Sequence, residues 1–183
     1  MPVDLAHVRN VQYNMGRSKV LVALWAVCSL VFLENPFLFR ASGLRAAVLR
    51  AFGAKVGKGV QIRARVRVHF PWKLQIGDGC WIGEGAWLHN QDRLVIGSNV
   101  TVSQEAFITT GSHRLASMTL ATRPVTVKDG AWITSRAIVL AGVTVGEGAV
   151  LSAGGVATED LDPWWVYGGN PAQKMHPRLR DGS

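Results

Sequence analysis

The most regular feature of the sequence is a hydrophobic position that recurs every six residues in its C-terminal half. Aliphatic residues or alanine occupy these positions, and a small or aliphatic residue follows each of them four positions later. An α-helix would instead place apolar residues three and four apart, and a half-buried strand would alternate strictly. A period of six with two inward positions predicts short flat segments joined by tight corners and stacked as a parallel β-helix. The two series are Val127, Ile133, Val139, Val145, Leu151 and Ala157, then Ala131, Ala137, Val143, Ala149, Gly155 and Leu161.

The same pattern begins earlier in the chain with a longer period. Val56, Ile76 and Ile96 open coils that start 20 residues apart, which corresponds to three hexads plus two extra residues. Glycine follows each of these residues, which suits a tight corner with unusual backbone angles. The predicted parts of the chain are an apolar and basic N-terminal segment (1–54), a β-helix (55–161) and a C-terminal tail (162–183).

The N-terminal segment contains the most apolar stretch of the chain, "KVLVALWAVCSLVFLENPFLF" at 19–39. Only 14 consecutive residues, 20–33, are uncharged, whereas a membrane-spanning helix needs about 20. We predict a helix packed against the rest of the protein or a neighbouring subunit. Association with a membrane surface is the alternative, and three nearby arginines favour it: Arg40, Arg45 and Arg50. A second helix, over 43–53, is predicted to cover the open first coil.

The overall composition is that of a packed globular domain of 183 residues, with 48% hydrophobic and 17% charged residues. The net charge of +8 favours a polyanionic partner, such as a phosphorylated cofactor or an anionic membrane. We expect no nucleic-acid partner, because the sequence has neither an RNA-binding motif nor zinc-finger spacing. The two cysteines form no disulfide framework. We predict a cytoplasmic protein, with attachment to the inner face of the membrane as the alternative.

The repeat is interrupted at 109–125, where the sequence begins "TTGSHRLAS". From Ile108 to Val127 is 19 residues, one more than a regular coil, and the inward spacing is lost. Inward positions are needed for packing, so chemically active side chains have to lie on the outer faces or on loops. We therefore predict a loop near 109–125 that leaves the prism and presents His113.

The segments "IGDG", "VGEGAVLSAGGVATEDL" and "VYGGNPAQK" resemble the hexapeptide-repeat acyltransferases over about 55–176. The segments "NMGRSKV", "FPWKLQIGDGCWIGE" and "TTGSHR" resemble the branch of colanic acid biosynthesis acetyltransferases within that family. The resemblance implies a mainly β fold, a left-handed parallel β-helix with an N-terminal helical segment and a short helical tail at the C-terminus. It also implies a homotrimer that binds acetyl-CoA in the groove between neighbouring prisms.

The resemblance makes His113 the catalytic general base. A sugar hydroxyl is a poor nucleophile at neutral pH, and a base that accepts its proton as the new bond forms is worth about 10² to 10⁴ in rate. The related motif commonly reads Gly-Ser-His-Asp, whereas Arg114 follows the histidine here. We therefore expect Arg114 to contact a charged acceptor, and Glu84 or Glu105 to orient the histidine.

Resemblance to galactoside and maltose acetyltransferases implies where the cofactor binds. Residues along its pantetheine arm and adenine match Ser135, Ala153 and Thr158, and Trp132 borders the thioester end. The family often has lysine after the threonine, but the residue here is Glu159. We expect basic residues of the tail to replace that phosphate contact: Lys174, His176 and Arg178.

His69 and His89 lie one coil apart and are predicted to share a face of the β-helix. With His113 they raise the alternative of a catalytic zinc site, as in the γ-class carbonic anhydrases of similar fold. The paired-histidine motif of those enzymes is missing, so we expect no metal. Trp72 and Trp87 are predicted to bind the acceptor, and packing at a subunit interface is the alternative role for these two tryptophans. The residues predicted to bind the acceptor are His69, Trp72, Trp87, His89, Asn90 and Arg114.

The sequence thus predicts an acetyl-CoA-dependent O-acetyltransferase that acts on a hydroxyl of a sugar or of a glycoconjugate or polysaccharide precursor. An antibiotic O-acetyltransferase of the same fold is the alternative within this class of enzyme. A zinc lyase and a non-catalytic scaffold are the alternatives outside it. Direct transfer is expected, because Cys80 occupies an inward position and Cys28 lies in the apolar segment.

Overall fold

The computed structural model describes residues 13–38 and 40–179, which form a three-sided parallel β-helix with a helical cap at its N-terminal end. Sheet A contains β1 (Lys55–Val56), β4 (Leu74–Ile76), β7 (Leu94–Ile96), β12 (Val125–Val127) and β15 (Thr144–Val145). Sheet B contains β2 (Gln61–Ile62), β5 (Trp81–Ile82), β8 (Thr101–Val102), β13 (Trp132–Ile133), β16 (Val150–Leu151), β18 (Trp165–Gly168) and β19 (Gln173–Pro177). Sheet C contains β3 (Arg67–Val68), β6 (Trp87–His89), β9 (Phe107–Thr109), β14 (Ile138–Val139) and β17 (Val156–Ala157).

The hexad pattern is the packing pattern of the prism. Along sheet A, each coil-opening residue pairs in register with the next one, and from the second of them onward their side chains are at most 3% exposed. Burial of such an aliphatic side chain stabilises the fold by about 1.5–3 kcal/mol. The predicted β-helix is thereby confirmed. The aligned residues are Val56, Ile76, Ile96, Val127 and Val145.

The apolar segment forms α1 (Lys19–Cys28), which continues as a π-helical turn over Ser29–Leu33. Its buried face contains Trp25 and Leu33, and the Trp25 indole donates to the carbonyls of Val68 and His69, each at 3.1 Å. These contacts attach the helix to the first strand of sheet C. Among the described residues, no helix has both the length and the apolar character needed to cross a membrane.

The second helix, α2 (Ser42–Ala51), lies against the first coil, as predicted for 43–53. Ala46 and Leu49 are buried there, and the Ser42 hydroxyl accepts from the backbone N–H of Ile62 at 2.7 Å. Arg45 is fully buried and donates to the carbonyl of Ile62 at 3.3 Å and to that of Leu38. The helix therefore satisfies polar backbone groups that the open end of the prism would otherwise leave unpaired.

The expectation of a short helical tail is wrong, because the described part of the tail forms an antiparallel hairpin of β18 and β19. Strand β18 pairs in parallel with β16, so the tail extends sheet B beyond the last coil. The segment "WWVYGG" is rich in β-branched and aromatic residues and is flanked by Pro163 and Pro171. This composition favours an extended chain, and the strand covers the edge of the last coil.

Candidate active site

The interruption of the repeat is a β-hairpin that projects from the prism between β9 and β12. Its strands are β10 (Gly111–His113) and β11 (Leu120–Thr122), which pair antiparallel. Two buried threonines anchor its base: the Thr109 hydroxyl accepts from the Gly111 N–H at 3.1 Å, and the Thr110 hydroxyl accepts from the Asp92 N–H at 2.7 Å. The predicted loop thus has a defined conformation that fixes the position of His113.

His113 lies at the end of β10 with its side chain exposed, and its Nδ1 is 2.8 Å from the backbone carbonyl of Met118. The turn that presents this carbonyl is closed by bonds from the Arg114 N–H to Thr119 O and from the Met118 N–H to Arg114 O. A carbonyl oxygen can only accept, so Nδ1 carries the proton. The neutral ring then has its free lone pair on Nε2.

Neither carboxylate that we considered as the orienting partner of His113 has this role in the structure. Glu105 pairs with Arg136 at 2.5 Å, and Glu84 lies 3.6 Å from Arg65. The prediction of a carboxylate partner was therefore wrong. The sequence gives no signal for the actual partner, because every residue has a backbone carbonyl and only the conformation of the turn brings that of Met118 to the ring.

A groove of about 480 Å³ lies beside the hairpin. Its walls include His113, Arg114 and Arg123, and none of its lining residues is a carboxylate. Both arginines are exposed, and Arg123 extends so close over Gly142 that a Cβ there would come within 2.9 Å of the guanidinium. The groove therefore combines one imidazole with two cationic side chains.

The predicted acceptor residues His69 and His89 lie one coil apart and meet edge to face, with ring centroids separated by 5.0 Å. Trp87 lies against His89 at 5.3 Å, and Arg67 lies over Trp87 at 4.2 Å. Burial, with smaller effects from His89 and Lys73, lowers the pKa of His69 to about 4. Burial also lowers the pKa of His89, so both rings are neutral at pH 7.

His89 is connected to the hairpin by a short chain of polar contacts. Its Nδ1 is 3.0 Å from the Thr109 hydroxyl, which also contacts both backbone polar groups of Gly111. The histidine therefore supports the base of the segment that carries His113. Among the described residues, no group of three or more His, Cys, Asp or Glu side chains is arranged to hold a metal ion.

Two other predicted acceptor residues have structural roles. Asn90 is fully buried, and its amide accepts from the N–H groups of His69 and Phe70 and donates to Phe70 O at 2.6 Å. Its prediction as an acceptor contact was wrong, because these bonds leave it closed off from a ligand. Trp72 donates to Met15 O at 2.7 Å and lines a different groove, beside Lys73. The structure therefore does not bring Trp72 together with His113.

The residues matched to the cofactor channel lie at two corners of the prism. The entry corner is the turn from sheet B into sheet C, and it contains Ser135 and Ala153 on successive coils. The exit corner follows sheet C, and it contains Thr158 and the base of the hairpin. Trp132, on sheet B, is 43% exposed and donates to the Ser103 hydroxyl at 2.8 Å. One chain therefore divides the predicted site between opposite edges of sheet C.

The basic tail residues are engaged with the chain itself. Lys174 pairs with Asp162 at 2.7 Å and lies 3.9 Å over the Trp165 ring. Arg178 donates to the carbonyls of Gly130 and Gly148 at 2.9 and 3.0 Å. Arg178 is thus a structural residue that links two coils, which does not agree with its prediction as a phosphate ligand. Lys174 would have to exchange Asp162 for a phosphate.

A second groove, of about 680 Å³, is larger than the one beside His113. Its lining residues include four carboxylates and one lysine. Negative charge of this density opposes binding of a phosphorylated cofactor, and none of the residues predicted for catalysis or cofactor binding lines it. Size alone therefore does not identify the active site. The carboxylates are Asp129, Glu147, Asp160 and Asp162.

Comparisons with known proteins agree with this architecture, although no protein-family model matches the chain. A putative colanic acid biosynthesis acetyltransferase, WcaF, of Escherichia coli strain K12 is 36% identical over 168 residues, covering 90% of this chain and 91% of that protein. A hexapeptide-repeat acetyltransferase of Vibrio cholerae, solved with acetyl-CoA, has a TM-score of 0.80 at 22% identity and covers 88% of this chain and 89% of that one. A galactoside acetyltransferase solved with coenzyme A has a TM-score of 0.79 at 18% identity, covering 98% and 92%.

The proteins that this chain resembles are acetyltransferases, and those of known structure share its fold. The chain belongs to the hexapeptide-repeat acetyltransferase family. Within that family, its similarity over nine-tenths of both sequences is to the colanic acid biosynthesis branch. The predicted family and the predicted class of enzyme are confirmed.

Proposed function

We propose that the protein transfers an acetyl group from acetyl-CoA directly to a hydroxyl of a sugar or glycoconjugate precursor, with His113 as general base. The bond from His113 Nδ1 to Met118 O carries this proposal, because it leaves Nε2 free to accept a proton. The similarities to a putative colanic acid biosynthesis acetyltransferase and to a galactoside acetyltransferase support a sugar-related acceptor. Structures of the same fold with acetyl-CoA or coenzyme A support the donor.

In the reaction, Nε2 accepts the proton of the acceptor hydroxyl as the hydroxyl oxygen attacks the thioester carbonyl. The resulting imidazolium is stabilised by the partial negative charge of the Met118 carbonyl. Collapse of the tetrahedral intermediate breaks the C–S bond, and the proton on Nε2 passes to the departing thiolate. The products are the acetyl ester and CoA, and the histidine is neutral again.

The cysteines give no support to a covalent acyl-enzyme. Cys80 points into the prism and is 1% exposed, and burial raises the pKa of its thiol. A thiol must be accessible and deprotonated to act as a nucleophile. Cys28 lies in α1, within the helical cap. Direct transfer therefore remains the simpler mechanism.

The division of the predicted site between two edges of sheet C supports a trimer. Ser135 and Ala153 at the entry corner of one prism would face His113 and Thr158 at the exit corner of its neighbour. A closed ring of three copies forms three equivalent interfaces of this kind. Each interface would then supply one complete site for the donor and the acceptor.

The two arginines beside His113 support an acceptor with an anionic group near its reacting hydroxyl. The pantetheine arm separates the thioester from the phosphates of CoA, so an acetyl group at His113 leaves Arg114 and Arg123 facing the acceptor. Guanidinium groups bind phosphate and carboxylate in bidentate geometry. Trp87 and His89, farther along sheet C, offer an aromatic surface for a sugar ring.

The test combines calorimetric titration of acetyl-CoA with an acceptor screen of neutral sugars, sugar phosphates, uronic acids and chloramphenicol. We expect about one acetyl-CoA per chain and a preference for the anionic sugars. His113→Ala should retain acetyl-CoA affinity and lose about 10² to 10⁴ in kcat. The matched control for kcat is His176→Ala, which removes an exposed histidine from β19 and should leave kcat unchanged.

Each negative outcome would contradict a different part of the proposed function. If acetyl-CoA does not bind, the transferase proposal fails as a whole. If His113→Ala retains its rate, another group is the base. Chloramphenicol as the preferred acceptor would establish the antibiotic-modifying alternative instead.

A further inference from the structure

The helical cap exposes an apolar face that the prism does not cover. Residues of α1 and its π-helical extension that point away from Trp25 and Leu33 recur at helical spacing, which makes one continuous stripe. Exposed apolar residues are ordinary when scattered, but a contiguous patch marks an interaction surface. The stripe consists of Val20 (80% exposed), Leu24 (52%), Val27 (59%), Leu30 (63%) and Val31 (46%), and Phe37 (88%) follows it.

The same end of the molecule carries nearly all of the excess positive charge. Residues 13–70 contain ten Lys or Arg and a single acidic residue, Glu34. Residues 71–179 contain eight Lys or Arg and nine Asp or Glu. The cap and first coil therefore have a net charge of +9, whereas the rest of the described prism has −1.

Several of these cations border the apolar stripe. Arg17 and Lys19 lie at the N-terminus of α1, and Arg40 follows the segment at its other end. A groove lined by two arginines and two glutamates brings the first coil beside the end of the π-helical turn, so the cation that marks this end of the stripe is Arg40. Apolar side chains are thus flanked by positive charge at both ends of the stripe.

We propose that the helical cap docks the enzyme on an anionic phospholipid bilayer, with α1 lying in the plane of the interface. Its exposed apolar stripe would enter the boundary between headgroups and acyl chains, and the flanking cations would bind lipid phosphates. The helix is too short to span the bilayer. The bonds from Trp25 to Val68 and His69 couple this helix to the strand that opens sheet C.

Charge also distinguishes a bilayer from a second copy of this chain as the occupant. If two copies met through this face, two basic ends would approach each other, each with a net charge of +9 over residues 13–70, and the like charges would repel. An anionic membrane has the complementary charge, and its acyl chains accept the apolar stripe. The positive charge that opposes contact between two copies through this face therefore favours the bilayer.

The experiment is co-sedimentation of the purified full chain with vesicles of phosphatidylcholine alone or mixed with phosphatidylglycerol. We expect binding to the anionic vesicles, weak binding to the neutral ones, and a loss of binding as salt is raised. Val20→Gln/Leu24→Gln/Val27→Gln should weaken the partition coefficient at least about ten-fold. The matched control is Met175→Gln, an exposed apolar residue of β19 (59%).

A second pair of variants separates local charge from net charge. Arg17→Glu/Lys19→Glu and Arg93→Glu/Lys128→Glu change the net charge equally, but only the first pair lies at the cap. We expect the first pair to weaken binding by at least about five-fold per cation, and the second to have a much smaller effect. Circular dichroism and light scattering of each variant verify folding and oligomeric state.

Three results would overturn the proposal. The full chain could fail to bind anionic vesicles, or the triple variant could bind as well as Met175→Gln. Dissociation of the assembly by the triple variant, measured by light scattering, would assign the stripe to a contact between copies. None of these readouts depends on catalysis, so the proposal stands or falls independently of the proposed function.

Discussion

At the scale of single residues, the proposed reactivity of His113 depends on a turn that holds one carbonyl in place. Met118 has a left-handed backbone conformation, with φ of 53°, and this conformation directs its carbonyl to Nδ1 of the ring. Non-glycine residues seldom adopt such a conformation, and a β-branched side chain is strained there. The choice of residue at 118 should therefore affect the orientation of His113 through the backbone alone.

We predict that Met118→Val lowers kcat about ten-fold and leaves the KM for acetyl-CoA unchanged, because the strained turn moves the carbonyl away from His113. Glycine adopts a positive φ without strain, so Met118→Gly should retain most of the wild-type kcat. Steady-state kinetics of the two variants provide the measurement. Equal losses in both would show that the Met118 side chain matters and that the turn geometry does not.

The roles of His113 and Asn90 differ in how far they can be predicted from the sequence. His113 was predictable because a family motif contains it and because it interrupts a regular repeat. Asn90 was misassigned because an amide beside a candidate histidine has the same appearance in sequence whether it contacts a ligand or the backbone. Its three hydrogen bonds to the chain from His69 to Phe70 become visible only when two coils stack.

At the scale of elements, the exit corner of sheet C carries a ladder of side chains from successive coils. His69 follows β3, whereas His89 and Thr109 end β6 and β9, and the last two are joined by a 3.0 Å contact. The two neutral histidines connect the capped first coil to the hairpin that carries His113. Protonation of His69 or His89 would place a positive charge in a half-buried aromatic environment.

We predict that the melting temperature falls as the pH is lowered from about 6.5 toward 4. An unfolded histidine binds a proton near pH 6.5, whereas burial holds the pKa of His69 at about 4. The unfolded state therefore binds more protons in this window, and the free energy of unfolding decreases as the pH falls. His69→Phe should flatten the dependence of the melting temperature on pH, measured by circular dichroism, and His176→Phe should not. If His69→Phe left the slope of melting temperature against pH unchanged, the pKa of this histidine would be the same in the folded and the unfolded state.

The elements differ in how well the sequence defines them. The coils were predictable because each must place two side chains in a narrow interior, and this constraint repeats every six residues. The hairpin of β10 and β11 and the hairpin of the tail lie outside that constraint. Their conformations depend on pairing with one another or with the last coil, and the spacing of apolar residues does not encode such pairing.

At the scale of the whole molecule, the charge and the predicted site both show that the ends and edges of the prism have different roles. The cap is strongly basic, and the remaining coils are close to neutral. Two of the residues matched to the cofactor channel, Ser135 and Ala153, lie at the entry corner of sheet C, whereas Thr158 and the hairpin that carries His113 lie at the exit corner. A single prism presents these two edges in different directions, so the proposed site requires an assembly of copies to bring them together.

Mixed trimers test this directly. His113→Ala removes the base from the exit corner, and Ala153→Trp fills an exposed position of the entry corner, so each variant alone should be inactive. Co-expressed with different affinity tags and purified through both, the two chains form trimers in which one of the three interfaces pairs an intact exit corner with an intact entry corner. We expect such trimers to recover about one third of the wild-type kcat, because each site needs only one sound edge from each neighbour. In trimers of two wild-type chains with one chain carrying both substitutions, the single interface between the wild-type copies remains active and calibrates the assay, whereas trimers with only one wild-type chain have no intact interface. If the site lay within one chain, every chain in the first mixture would carry a defect and the mixed trimers would be inactive.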